Sequence, residues 1–111
     1  MDNNDNRQRF ITLLRNTGRE NIEYVIEDLT EGGFFSSPAS CQGHGAFAGG
    51  LLEHSLNVYD AAMALRRDMI QARPDLEADM PEDSVAIATL LHDVCKMELY
   101  QLSKRKKRNE I

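Results

Sequence analysis

The sequence predicts an all-α fold, a bundle of four main helices, and three observations point there. Apolar side chains recur at three- and four-residue steps in four separate segments. No segment before Met97 shows the strict alternation of a half-buried strand. The length of 111 residues and mass of 12.6 kDa fit one small domain and no second one. By surface scaling such a chain hides about two-thirds of its extended area, enough for one modest core.

The first helix is expected over residues 5–17, where Phe10, Leu13 and Leu14 share a face and Gly18 stands at a natural stop. A second is expected from Arg19 to Thr30. There Ile22, Val25, Ile26 and Leu29 occupy i, i+3, i+4 and i+7, with Glu20, Glu23 and Glu27 turned away from them. Residues 1–31 are thus the leading helices, and Gly32 and Gly33 terminate them. Residues 32–49 form a glycine-rich loop whose Phe34, Phe35 and Phe47 argue against disorder, because aromatic rings are costly to leave in water.

A long helix follows from Gly50 to about Ala72. Leu51, Ser55, Val58, Ala62, Leu65 and Met69 make a continuous stripe at alternating four- and three-residue steps, and Met63 and Met69 read as ordinary packing. Pro74 ends it, and the acidic connector DLEADM leads to Pro81, which stands at the start of a fourth helix with Glu82 and Asp83 in its first turn. Through SVAIATLLHDVCKM that helix is apolar on all sides, as a helix central to a core would be. Residues 50–100 carry the chemistry described next, with ELYQL read as a strand or a helical tail, and residues 101–111 form a basic tail.

Composition excludes several classes. With 41% hydrophobic and 28% charged residues the chain is neither disordered nor fibrous. Cys41 and Cys95 are too few for a disulfide framework. The opening MDNNDNRQRF is polar where a secretory signal needs an apolar core, and the uncharged run Gly32–Leu52 holds six of the seven glycines. A cytoplasmic protein with no membrane segment is expected. The net charge is −5, yet residues 1–103 carry 8 basic and 17 acidic side chains, and KRKKR at 104–108 returns five positive charges. An acidic body is a poor nucleic-acid surface, so a nucleic-acid partner rests on that basic run alone, whose ordinary reading is a solvated segment. Tyr24, Tyr59 and Tyr100 are too dispersed for a base-stacking platform.

Three residues carry chemistry. His54 lies beside the long stripe, and His92 is followed directly by Asp93 inside the apolar run IATLLHDVC. A carboxylate there is costly to bury unless it is paired or bound to a metal. Neighbouring helix positions differ by about 100°, so one ion above the His92–Asp93 edge is within reach of both, and a histidine from a packed second helix adds a third ligand. Imidazole and carboxylate together suit divalent manganese, iron, zinc, nickel or cobalt. The plainer reading is a hydrogen-bonded core histidine beside a chance doublet. A different metal reading pairs Cys41 and His44 with His92 and Cys95 as a structural zinc, but it leaves His54 and Asp93 without roles, and Cys95 reads as a small core residue. Cys41 has no positioned base that would make it a nucleophile.

GGLLEHSLNVYDAAMAL at 49–65 and AIATLLHDVCKMELY at 86–100 resemble the two opening motifs of the HD-domain metal-dependent phosphohydrolase superfamily. The resemblance covers residues 44–100 and implies an HD-like all-α bundle holding a divalent metal, magnesium included. Residue by residue it makes His54, His92 and Asp93 the metal ligands, and Lys96 a point charge for a phosphate. HGAFAGGLLEH is similar to the lead-in of a branch containing exoribonucleases that act from the 3′ end, which implies a place for His44 near metal or substrate. The implied activity is hydrolysis of a phosphomonoester or phosphodiester of a nucleotide, or another phosphorylated small molecule, by metal-activated water, with Asp93, Lys96 and His44 as catalytic groups.

The chain departs from the family in one respect. The family's closing metal aspartate lies well downstream, whereas this sequence runs only 18 residues past Asp93, with Glu110 its one acid beyond Glu98. The resemblance therefore reaches the opening part of the family fold. A truncated or short form, a site completed by a second chain in an oligomer, and an incomplete site serving a helical regulatory or interaction module all stay open. Glu53, next to the first histidine, reads as a solvated surface residue.

Overall fold

The computed structural model of the chain describes residues 3–39 and 47–97. Four α-helices carry the fold: α1 (Asn3–Asn16), α2 (Ile22–Glu31), α3 (Gly50–Ala72) and α4 (Glu82–Leu90), with 3-10 turns at Phe34–Ser36 and Pro74–Asp79 and no strand among the described residues. No helix among them is long and apolar enough to cross a membrane.

Each boundary has a local cause. Asp5 in the first turn of α1 and Arg15 in the last complement the helix dipole, and Gly18 accepts the left-handed φ of 69° that turns the chain away. α2 begins three residues later than the periodicity predicts, because Asn21 takes a left-handed φ of 65° and breaks the run from Arg19. Gly33 does the same after α2, with φ 83°. Gly49, at φ 85°, launches α3, and a Cβ there would run into the side chain of Asn3. Both ends of α3 match the sequence expectation.

The core is a single cluster of aromatic and aliphatic side chains. Phe10, Phe34 and Phe35 pack as a mutual triad with ring centroids 5.0 to 5.7 Å apart. Leu14, Ile26, Leu29, Leu51, Leu52, Leu56, Ala86 and Leu90 join it among the described residues, so the segment between α2 and α3 contributes core, through Phe34 and Phe35, rather than connection alone. Phe47, by contrast, is half exposed. α3 packs chiefly on α4 and also on α1 and the Phe34–Ser36 turn, while α1 closes against α4. Across the surface, Arg9 makes a bidentate pair with Asp60, and Arg19 reaches Ser84 and Asp83. Exposed pairs of this kind set register more than stability, at about 0–1 kcal/mol each.

Two expectations need correction. Every buried residue of α3 lies between Gly50 and Leu56, so the stripe outlasts the body that covers it. Val58 and Ala62 are half-buried, whereas Leu65 and Met69 are 61% and 39% exposed; Met69 is not core packing. The connector after α3 folds back on its outer half, where the Arg66 Nε donates to the Met80 carbonyl at 2.7 Å.

The fourth helix also stops short. It ends at Leu90, residues 91–94 form turns, and one further helical turn covers residues 95–97. Only Ala86 and Leu90 of α4 are buried, and Ala88 is exposed, so α4 offers one face to the core rather than all of them. Ile87, Leu91, Val94 and Met97 pack on the core in part. Cys41, His44, ELYQL beyond Met97 and KRKKR lie outside the described residues.

Candidate metal centre

His54 stands on the first half of α3, between the fully buried Leu51, Leu52 and Ser55 that clamp this stretch to the core. Its backbone is therefore held, while its ring projects to a half-exposed position. The opposing wall comes from the turn after α4. Leu90 is buried and Val94 and Met97 rest on the core, so the intervening His92 and Asp93 are presented from a pinned turn rather than from a helix face.

These two pieces meet. Single ligand atoms from His54, His92 and Asp93 lie within 4.8 Å of one another. Nε2 of His54 is 3.2 Å from Oδ2 of Asp93, Nε2 of His92 is 3.1 Å from the same oxygen, and the imidazole centroids are 5.3 Å apart. Lys96 joins them, its Nζ 3.2 Å from that oxygen. The Asp93 side chain is 21% exposed, against 32% to 40% for the three groups around it.

The hydrogen bonding fixes the chemistry of His92. Its Nδ1 lies 2.6 Å from the Thr89 carbonyl, which can only accept, so Nδ1 carries the proton and donates. In the neutral ring the lone pair is then on Nε2, aimed at the lone pairs of Asp93 Oδ2. Two lone pairs facing each other across 3.1 Å need a proton or a cation between them. A backbone carbonyl on the far nitrogen of a histidine is also the usual outer support of a metal ligand. The donor set thus fits a divalent ion of the kind that takes mixed nitrogen and oxygen ligands.

Asp93 is the electrostatic centre. Burial pushes its pKa up, but the hydrogen bond from Lys96 and the charges of His92, Lys96 and His54 outweigh that, and the carboxyl titrates below its ordinary value. It is anionic at neutral pH.

Of the site residues expected from sequence, His54, His92, Asp93 and Lys96 come together, and His44 lies outside the described residues. His92 is not on the helix that the sequence predicts for it. Cys95 is exposed, which corrects its reading as a core residue, and it is not among the gathered ligand atoms. Glu53 is exposed, as expected. Sequence reasoning missed the Thr89 carbonyl, because its role exists only where the helix ends. No protein-family model, curated protein or solved structure matches the chain.

Proposed function

We propose that this chain is a metal-dependent phosphohydrolase of the HD type, acting on a nucleotide or other phosphoester in the cytoplasm. One observation carries the reading: two imidazoles and a carboxylate from segments 38 residues apart converge within 4.8 Å, with a lysine on the same oxygen. His54, His92 and Asp93 would hold the ion. When bound, a divalent ion supplies Lewis acidity toward a phosphoryl oxygen and a lowered pKa for water.

The chain's own residues do the rest. The Asp93 carboxylate, with its depressed pKa, is a weak base, so it orients an attacking water by accepting its hydrogen bond rather than by removing a proton. The Lys96 ammonium is a compact point charge for the phosphate oxygens as negative charge builds there. Thr89 keeps the His92 ring in one tautomer throughout. His44 belongs to this reading as a group on the substrate side, through the resemblance of its lead-in.

The experiment is hydrolysis of a generic phosphodiester and phosphomonoester by the purified chain with Mn2+, beside Asp93→Ala. Turnover that depends on Mn2+ and disappears in the variant supports the proposal. Background rates in a chain that binds Mn2+ favour the second reading, a helical regulatory module that keeps the site without turnover. That reading draws on Asp93 being the single carboxylate of the cluster among the described residues.

A further inference from the structure

Three groups crowd one atom. His54 Nε2, His92 Nε2 and Lys96 Nζ all lie 3.1 to 3.2 Å from Oδ2 of Asp93. A carboxylate oxygen can accept from several donors, but it cannot give its charge at full strength to an ammonium and a divalent ion at once. An ion bonded to Oδ2 at about 2 Å would lie no more than about 5 Å from an ammonium that kept its place. Like charges at that range repel, and they sit well inside the screening length of physiological salt.

We propose that Lys96 competes with a divalent cation for Oδ2 of Asp93, and that arrival of the cation hands the ammonium over to a phosphate oxygen. The inference rests on the metal-centre reading above and adds a control to it. Two further observations support it. The Lys96 side chain is 38% exposed, so its head can swing into water while the turn keeps its backbone in place, with Lys96 N–H donating to the Asp93 carbonyl at 3.0 Å. Charge balance also demands an anion. Asp93 and Lys96 cancel each other, so a divalent ion beside neutral imidazoles leaves the cluster with two positive charges. A phosphate dianion cancels them, and the freed ammonium is the one mobile cation of the cluster that can meet it.

The test uses the full chain, Mn2+ alone and inorganic phosphate, read by calorimetry. Lys96→Met should bind Mn2+ about tenfold more tightly, because a competing charge is gone. The same Mn2+-loaded variant should bind phosphate about tenfold more weakly, and Lys96→Arg should stay near the wild type in both. A purely structural lysine would weaken Mn2+ binding on removal, and a lysine that serves phosphate without competing would leave it unchanged; either result overturns the proposal. Acetylation of Lys96 in the wild type, followed by mass spectrometry, gives a second reading that needs no variant. It should rise on addition of Mn2+ and fall again with phosphate, and a rate indifferent to Mn2+ overturns the proposal. A wild-type chain that takes up no Mn2+ overturns the metal centre itself, which separates the two failures.

Discussion

The Nδ1–H of His92 donates to the main-chain carbonyl of Thr89 across 2.6 Å, and this bond links the end of α4 to the aim of the imidazole. A continuing helix would give that carbonyl to the N–H of Asp93. Here the ring takes it, the helix stops at Leu90, and Asp93 turns toward His54. Side-chain capture of a backbone acceptor competes with helix propagation in just this way.

On the proposed metal reading, removing any one of the three donors should empty the centre. His54→Ala, His92→Ala and Asp93→Ala are each expected to weaken Mn2+ binding by at least about 100-fold, more than loss of an outer support costs. Glu53→Ala, on the neighbouring exposed position of α3, should leave it unchanged. Calorimetry and metal analysis of the purified variants check this, and undiminished binding in His54→Ala would show that α3 is not part of the site.

Asp93 predicts the acid limb of stability. Its pKa is lower folded than unfolded, so the folded state holds fewer protons in that range. The stabilisation is complete above the ordinary aspartate value of about 3.9 and drains away as pH falls through the folded value. Urea unfolding of the metal-free chain should lose stability more steeply below about pH 4 in the wild type than in Asp93→Asn. Parallel curves would mean that the cluster does not form in solution.

Ser55 offers a gain rather than a loss. Its Oγ is fully buried and has no hydrogen-bond partner among the described residues, so the hydroxyl carries a desolvation cost without return from them. Ser55→Ala should stabilise the fold by about 1 kcal/mol in urea titration. A loss of stability would reveal a partner for that hydroxyl.

The aromatic triad and the entry to α3 should be the sensitive points of the fold. Phe34 is fully buried between Phe10 and Phe35, and Phe34→Ala should cost ~3–5 kcal/mol. Gly49→Ala forces a left-handed φ on a residue whose Cβ meets Asn3, at a cost of about 1–2 kcal/mol or more. Both are measured by denaturant unfolding, and a neutral Gly49→Ala would show that α3 can start elsewhere.

Periodicity read both ends of α3 closely because both carry strong punctuation, Gly49 before it and Pro74 after. The grouping of His54 with the doublet is expected from the cost of a carboxylate in an oily run together with the resemblance of the two motifs, and these three side chains do form a cluster that could hold an ion. Periodicity failed where pattern and packing part company. SVAIATLLHDVCKM is apolar on all sides and so carries no phase, and nothing in it marks the stop at Leu90, which a side-chain hydrogen bond makes. Leu65 and Met69 continue a perfect stripe, yet among the described residues the buried part of this helix, about 34 Å long, ends at Leu56, so periodicity marks a face without marking how far along it the packing extends.

His54 stands on a clamped helix and His92 and Asp93 on a pinned turn, but they are the three donors gathered among the described residues and all are partly exposed, so the remaining positions of an ion would be filled by water, which adjusts to any radius. Such a centre discriminates poorly by ionic radius. In competition experiments the ranking of manganese, cobalt, nickel and zinc should then follow the intrinsic affinity series of divalent metals, rather than peak at one preferred size.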